Sequence, residues 1–237
     1  MKILVLGHTG MLGNSVHRYL QNFYTIDTID YRWPSNEFIE YIKSYNGDFI
    51  INCIGAIPQK TSNFGINSIL PVFLDLTSKC KIIHPSTDCE FDDTLYGISK
   101  RIATDWLRYN GKKTYIFKTS IIGIELKTSD SLLCWFLKQS KANGFTSAKW
   151  NGITTLEWAK QCKILIESKK SIDQNYFVFC SECISKFELL KIIKQVFNHD
   201  IEIIPIDGIG QDKCLVGTKL NNIHQQLIEL KKFYSKD

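Results

Sequence analysis

Apolar residues in the first half of the chain fall into short continuous runs that alternate with stretches of helical spacing. Ile3, Leu4, Val5 and Leu6 form a run typical of a buried strand, and Met11, Leu12, Val16, Tyr19 and Leu20 recur along one helix face over residues 11–21. The alternation predicts further strands at residues 24–30, 49–54, 81–84 and 115–122, the third running on into Pro85, Ser86, Thr87 and Asp88. Helices are predicted between them at residues 36–45, 66–78 and 94–109, the last with Ile98, Ile102 and Leu107 as apolar positions. That order is the pattern of a parallel sheet covered by helices. Beyond about residue 125 the pattern weakens to helices at 131–139, 155–168 and 185–197 and short strands at 176–179 and 201–206. The expected architecture is α/β, a Rossmann-type doubly wound parallel sheet over residues 1–125. A smaller α/β lobe over residues 126–237 is expected to be partly interleaved with it.

Composition narrows the class. With 237 residues, 44% of them hydrophobic, the chain can bury a full core, which argues against disorder. There is no leader pattern and no apolar run of bilayer length, so the expectation is a cytoplasmic protein with no membrane partner. The net charge of +5 is spread out with no arginine-rich run, which suits a phosphate-bearing small ligand rather than nucleic acid. The eight cysteines are read as reduced, mostly buried thiols. Cys180 and Cys183 form one C-x-x-C without a second pair, so no metal site is expected.

The string Gly7-His8-Thr9-Gly10-Met11-Leu12-Gly13 follows the first strand and opens the first helix. Glycines there permit a tight turn, close approach of backbone to a diphosphate, and close packing of helix on sheet. Gly7, Thr9, Gly10, Met11, Leu12 and Gly13 are therefore candidate dinucleotide-binding positions, although the G-x-x-G-x-x-G spacing departs from G-x-G-x-x-G. Asp30 lies about twenty residues beyond Gly10, where a carboxylate can bond an adenosine ribose, and Arg32 beside it can accept an extra phosphate. The choice between NADH and NADPH stays open. Cys53, Ile54 and Gly55 at the end of the third strand, Asn67 on the following helix and Ser86 complete the candidate cofactor set.

Tyr96 and Lys100 stand four apart, on one helix face. A lysine there is expected to lower the phenol's pKa, suiting Tyr96 to exchange a proton with a carbonyl oxygen, and to bind the nicotinamide ribose. Thr87 at the preceding strand end is placed to hydrogen-bond the same oxygen.

In this order the motifs resemble the extended short-chain dehydrogenase/reductase superfamily. Residues 1–7, Ser86-Thr87-Asp88-Cys89 and Tyr96-Gly97-Ile98-Ser99-Lys100 resemble its dTDP-4-dehydrorhamnose reductase branch, as do residues 118–123, 133–137, 150–156 and 184–190. The resemblance implies NAD(P)H-dependent reduction of the 4-keto group of a nucleotide-linked 4-keto-6-deoxyhexose, in deoxysugar and surface-polysaccharide biosynthesis. Tyr96 would be the general acid, Lys100 would bind ribose and tune Tyr96, Thr87 would hold the ketone, and Asn67 would support a proton-relay water. Asp88, Trp150, Asn151 and Lys213 are the candidate substrate contacts. A homodimer stays open. Three departures stand out: a short segment between Asp88 and Tyr96, Lys118 where an arginine is usual, and a short chain. Two alternatives remain: a reductase for a UDP-linked 2-acetamido-2,6-dideoxy-4-hexulose, with or without 3,5-epimerase activity, and a non-catalytic NAD(P)-binding regulatory subunit.

Overall fold

Strand β1 (Lys2–Leu6) forms where four consecutive apolar side chains are fully buried, as in a strand covered on both faces. The computed structural model describes residues 1–168 and 171–235. It contains two units, Met1–Lys118 with Ala159–Phe177, and Thr119–Trp158 with Val178–Asp237.

In the first unit β1 is followed by α1 (Met11–Leu20), β2 (Thr25–Thr28), α2 (Asn36–Ser44), β3 (Phe49–Asn52) and α3 (Gly65–Thr77). Next come β4 (Lys81–Ser86), a 3-10 turn (Asp88–Phe91), α4 (Leu95–Asn110) and β5 (Thr114–Lys118). The helices begin where the chain supplies caps: Ser35 accepts from the amide of Phe38 at 3.2 Å, and Thr94 from that of Gly97 at 3.1 Å. Their buried faces carry Phe38 and Ile42 on α2, Leu70 and Leu74 on α3, and Ala103 and Leu107 on α4.

The strands pair in parallel in the order β2-β1-β3-β4-β5, with Val5 opposite Thr28 on one side and Leu6 opposite Asn52 on the other. The chain steps outward to β2 and then crosses back past β1 to begin β3. The crevice beyond the carboxyl ends of β1 and β3 is thus a topological switch point, where open α/β sheets bind ligands.

The second unit contains β6 (Ile121–Ile122), α5 (Leu132–Phe136), β7 (Lys141–Phe145), β8 (Lys149–Trp150) and β9 (Ile153–Thr154). Helix α6 (Thr155–Glu167) carries the chain into the first unit, and β10 (Tyr176–Cys180), beside β5, carries it back. Then follow β11 (Ile184–Ser185), α7 (Lys186–Phe197), β12 (Glu202–Ile206), β13 (Thr218–Lys219) and α8 (Ile223–Tyr234). β13 pairs in parallel with β10, completing a seven-stranded sheet; β6 pairs with β9, β7 with β12, and β8 antiparallel with β11.

Three expectations are corrected. The strand expected over 115–122 ends at Lys118 and resumes as the separate β6, because Thr119 and Ser120 lie where the chain passes between units. The helix expected over 131–139 is only Leu132–Phe136. Cys183 and Cys214 are joined in a disulfide, so not every cysteine is a free thiol. The pairing was hidden in the sequence because it depends on β8, which pairs with β11 just after Cys183 and meets Lys213 through a 3.2 Å backbone bond. Cys53, Cys80, Cys89, Cys134, Cys162 and Cys180 are thiols outside the disulfide. Among the described residues, no helix is long and apolar enough to cross a membrane.

Candidate active site

The glycine string forms a turn that only its residues allow. Gly7 has φ of +73°, and a Cβ there would lie 3.1 Å from the carbonyl carbon and oxygen of Cys53. The first turn of α1 packs so closely that a Cβ on Gly13 would lie 2.1 Å from the Gly7 oxygen. Gly10 closes the turn with a 3.0 Å bond from its amide to Gly7 and, as N-cap, has no side chain to cover the helix end. An exposed helix N-terminus with Thr9 and Gly10 at the surface suits a diphosphate, so the residues present fit a dinucleotide. Met11 is half-buried, whereas Leu12 and Gly13 are buried and can offer such a ligand only backbone.

Asp30 and Arg32 are both exposed beyond the end of β2. The strand expected to reach Asp30 stops at Thr28, where pairing with Val5 ends, so Asp30 stands in a loop with its carboxylate 3.9 Å from Nε2 of His8.

The loop after β3 is fixed from several sides. Buried Asn52 accepts from the Ile54 amide at 3.1 Å and donates to Nδ1 of His84 at 3.1 Å. Burial, reinforced by Lys100, holds the His84 pKa well below its ordinary value, which keeps that ring neutral. Burial pushes the Cys53 thiol up, away from ionisation. Asn67 clamps Ala56 through both ends of its carboxamide, at 2.8 and 3.0 Å, and also donates to Ser99 at 3.2 Å. Its side chain is therefore committed to holding the loop. One turn on, Pro71 has no N–H to return to the Asn67 carbonyl. Between these groups sits Gly55, where a Cβ would lie 3.3 Å from Asn67 Oδ1 and 3.4 Å from Lys100 Nζ.

Thr87 caps the 3-10 turn: its hydroxyl accepts from the Cys89 amide at 3.2 Å and donates to Asp88 at 2.9 Å. The first turn of α4 lies against this segment, since a Cβ on Gly97 would come within 2.2 Å of the Cys89 carbonyl. Tyr96 is thereby brought close enough to Thr87 for the hydroxyl to act on its phenol. The Tyr96 phenol is pushed up to about 12, chiefly by burial, with Cys89, Asp88 and Glu90 adding and the Thr87 hydroxyl opposing. This corrects the expectation that Lys100 lowers it: withdrawal from water penalises the phenolate more than any neighbour helps it. Lys100 is itself lowered to about 8 by burial, with Glu90 opposing.

Ser86, a candidate cofactor contact, is buried with its side chain already engaged. Its hydroxyl is buried on Glu90 and Thr104, because Glu90 enters the core behind β4 and takes the nearby donors. The other Glu90 oxygen accepts from Lys118 at 2.6 Å. The sequence reading missed this buried pair, since isolated charges normally read as surface.

In the second unit Trp150 is buried and donates to Ser120 at 2.8 Å. Asn151 is buried and exchanges two 2.8 Å bonds with the backbone of Leu215. The segment holding the half-buried Lys213 is thus clipped along residues 149–151, and the polar atoms of Trp150 and Asn151 are already engaged.

Together the parallel sheet with its switch point and the helices that alternate with its strands define a Rossmann-type α/β fold, with the glycine turn and the helix carrying Tyr96 and Lys100 built into it. No protein-family profile and no curated relative matches the sequence. Solved structures do match across the whole chain. A dTDP-4-dehydrorhamnose reductase from Bacillus anthracis in complex with NADP superposes with TM-score 0.77 at 14% identity, covering 100% of this chain and 99% of that one. A dTDP-4-dehydrorhamnose reductase from Clostridium acetobutylicum gives 0.75 at 15% identity, covering 99% and 100%. UDP-glucose 4-epimerase from Thermotoga maritima with UDP-glucose gives 0.76 at 15% identity, covering 100% and 99%. At these identities the likeness establishes a shared fold.

Proposed function

We propose that this chain is a reductase that uses NADPH or NADH to reduce the 4-keto group of a nucleotide-linked 4-keto-6-deoxyhexose. The observation that carries the reading is the placement of Lys100 Nζ against Gly55, on the loop that meets the Gly7 turn, one helical turn from Tyr96. This arrangement links a proton-donating group to a nucleotide-binding turn. The solved structures of similar fold, with NADP or with a nucleotide sugar, support the same cofactor and substrate classes.

The dinucleotide supplies a hydride when bound. The amides of the Gly7 to Gly13 turn would hold its diphosphate, Asp30 its adenosine ribose, with Arg32 for any 2′-phosphate, and Cys53, Ile54 and Gly55 would line the ring side. Tyr96 donates the proton to the ketone oxygen. With its phenol pushed up to about 12 it is fully protonated at neutral pH, the state a proton donor needs. Thr87 gives the developing alkoxide a second hydrogen bond, releasing Asp88 to do so. Lys100, in its ammonium form, would bind the nicotinamide ribose hydroxyls. Asp88 orients the sugar.

A second copy of this chain is the proposed protein partner. Ile69 and Leu76 on α3 and Leu95, Ile102 and Tyr109 on α4 are exposed at seven-residue spacing. Arg101, Asp105 and Arg108 flank that face with both charge signs, as a two-fold pairing requires.

The test follows NADPH and NADH absorbance with dTDP- and UDP-linked 4-keto-6-deoxyhexoses. Oxidation with at least one of these sugars is expected. Tight cofactor binding without oxidation of any would point instead to a regulatory binder.

A further inference from the structure

Glu90 and Lys118 form an ion pair in which each side chain is only 4% exposed, a placement that charges adopt only when every polar atom is served. Here each is. One Glu90 oxygen accepts from Ser86 at the end of β4 and from Thr104 on α4; the other accepts from Lys118 at the end of β5 at 2.6 Å. The Glu90 carbonyl accepts from Arg101 on α4 at 3.3 Å, and the Phe91 ring covers the Lys118 ammonium at 4.0 Å. A single carboxylate therefore ties together the turn that carries Thr87, the helix that carries Tyr96 and Lys100, and the two strand ends beneath them.

We infer that the buried Glu90–Lys118 pair is a positioning device for the proposed active site, holding the Thr87 turn against α4 so that Thr87, Tyr96 and Lys100 keep one mutual geometry. The inference rests on the reductase reading for the identity of those three groups. Glu90 touches neither substrate nor cofactor and acts through the turn and the helix. Lys118 is held from several sides, its ammonium donating to Glu90 at 2.6 Å with the Phe91 ring over it and the Tyr176 phenol beside it. The charged and titratable groups around the pair are Arg101, Tyr96 and Lys100 of α4, Asp88 and Cys89 of the turn, and Tyr176 of β10. Lys100 in turn faces His84 on β4. The Glu90 charge raises both Tyr96 and Lys100.

The test compares the wild type with Glu90→Gln/Lys118→Met, which removes both charges together and avoids burying one alone. Lys118→Arg, which keeps a cation for Glu90, is the conservative control. The double variant is expected to melt near the wild type and to bind NADPH only modestly more weakly, through loss of the Glu90 charge that supports the Lys100 ammonium. Its kcat should fall by about ten- to a hundredfold through misplacement of the reacting groups, and its high-pH limb should move down. Lys118→Arg should keep most of the wild-type rate. A folded double variant with wild-type kcat and pH profile would overturn the inference. Hydrogen exchange gives a readout that needs no substrate: amides of residues 87–97 should exchange faster in the double variant while the rest of the first unit keeps its protection. If the wild type reduces none of the sugars but this local loosening is seen, the reductase reading fails and the positioning role stands. Unchanged local exchange overturns the positioning role in either case.

Discussion

Gly55 and Lys100 meet so closely that a Cβ on the glycine would lie 3.4 Å from the lysine Nζ, although they come from a loop after β3 and the middle of α4. Lys100 is 7% exposed at that contact. An ammonium withdrawn from water in this way is held near a pKa of about 8, which makes the site sensitive to pH in a range that is easily measured.

The sign of that dependence follows from linkage. Between about 8 and 10.5 the unfolded chain holds a proton on Lys100 that the folded chain has released, so the penalty this group places on folding is full below about 8, shrinks as pH rises through the window and is gone above about 10.5. Its full weight is about 3 kcal/mol as an upper bound. Urea unfolding of wild type and Lys100→Met at pH 7 and pH 10 should show the wild type gaining relative to the variant at the higher pH. NADPH affinity should fall across pH 8 in the wild type only. Parallel behaviour of the two proteins would remove Lys100 from both roles.

Substitutions in the glycine turn should separate folding from binding. Gly13→Ala forces its Cβ onto the Gly7 carbonyl and is expected to cost about 1–3 kcal/mol in unfolding free energy as well as cofactor affinity. The Cβ of Gly10→Ala meets only the Gly7 oxygen at 3.4 Å, so that variant should melt normally yet bind NADPH weakly. Thermal melts with a cofactor titration decide this, and normal binding by Gly10→Ala would place the diphosphate elsewhere.

Thr87 has two separable jobs. Thr87→Val removes the cap on the Cys89 amide, worth about 1 kcal/mol, and the bond offered to the ketone oxygen, worth about ten- to a thousandfold in kcat. Thr87→Ser keeps the hydroxyl and should recover both. A valine variant with undiminished turnover would leave Thr87 only the cap.

Labelling of the denatured, unreduced protein with a thiol reagent should modify six of the eight cysteines, sparing Cys183 and Cys214. Cys183→Ser should cost about 3–4 kcal/mol under oxidising conditions, from the chain entropy of a loop of about 31 residues, and nothing after reduction. Eight labelled thiols would contradict the bridge.

Much of the first unit was legible because its signals are local. Ile3 to Leu6 is a strand buried on both faces, Gly7 supplies the left-handed turn, and Thr94 caps the helix that holds Tyr96 and Lys100. The second unit was less so, because its strands are often two residues long and are stabilised by distant partners. In β7 the buried positions are Ala142 and Gly144, whose small side chains leave no hydrophobic alternation to read; a Cβ on Gly144 would meet Phe187 at 2.7 Å. Helix α8 did carry a signal, with Asn222 as cap and Ile223, Leu227 and Leu230 on its buried face. The Glu90–Lys118 pair lay beyond sequence reasoning: 28 positions separate its members, and only the fold turns both inward.

The most direct measurement is the turnover of Tyr96→Phe beside its affinity for NADPH. Loss of the phenolic oxygen should leave cofactor binding within about twofold of wild type while removing most of the reduction of a nucleotide-linked 4-keto sugar, as for loss of a general acid worth about a hundred- to ten-thousandfold. A variant that still reduces the sugar at the wild-type rate would show that the proton comes from another group.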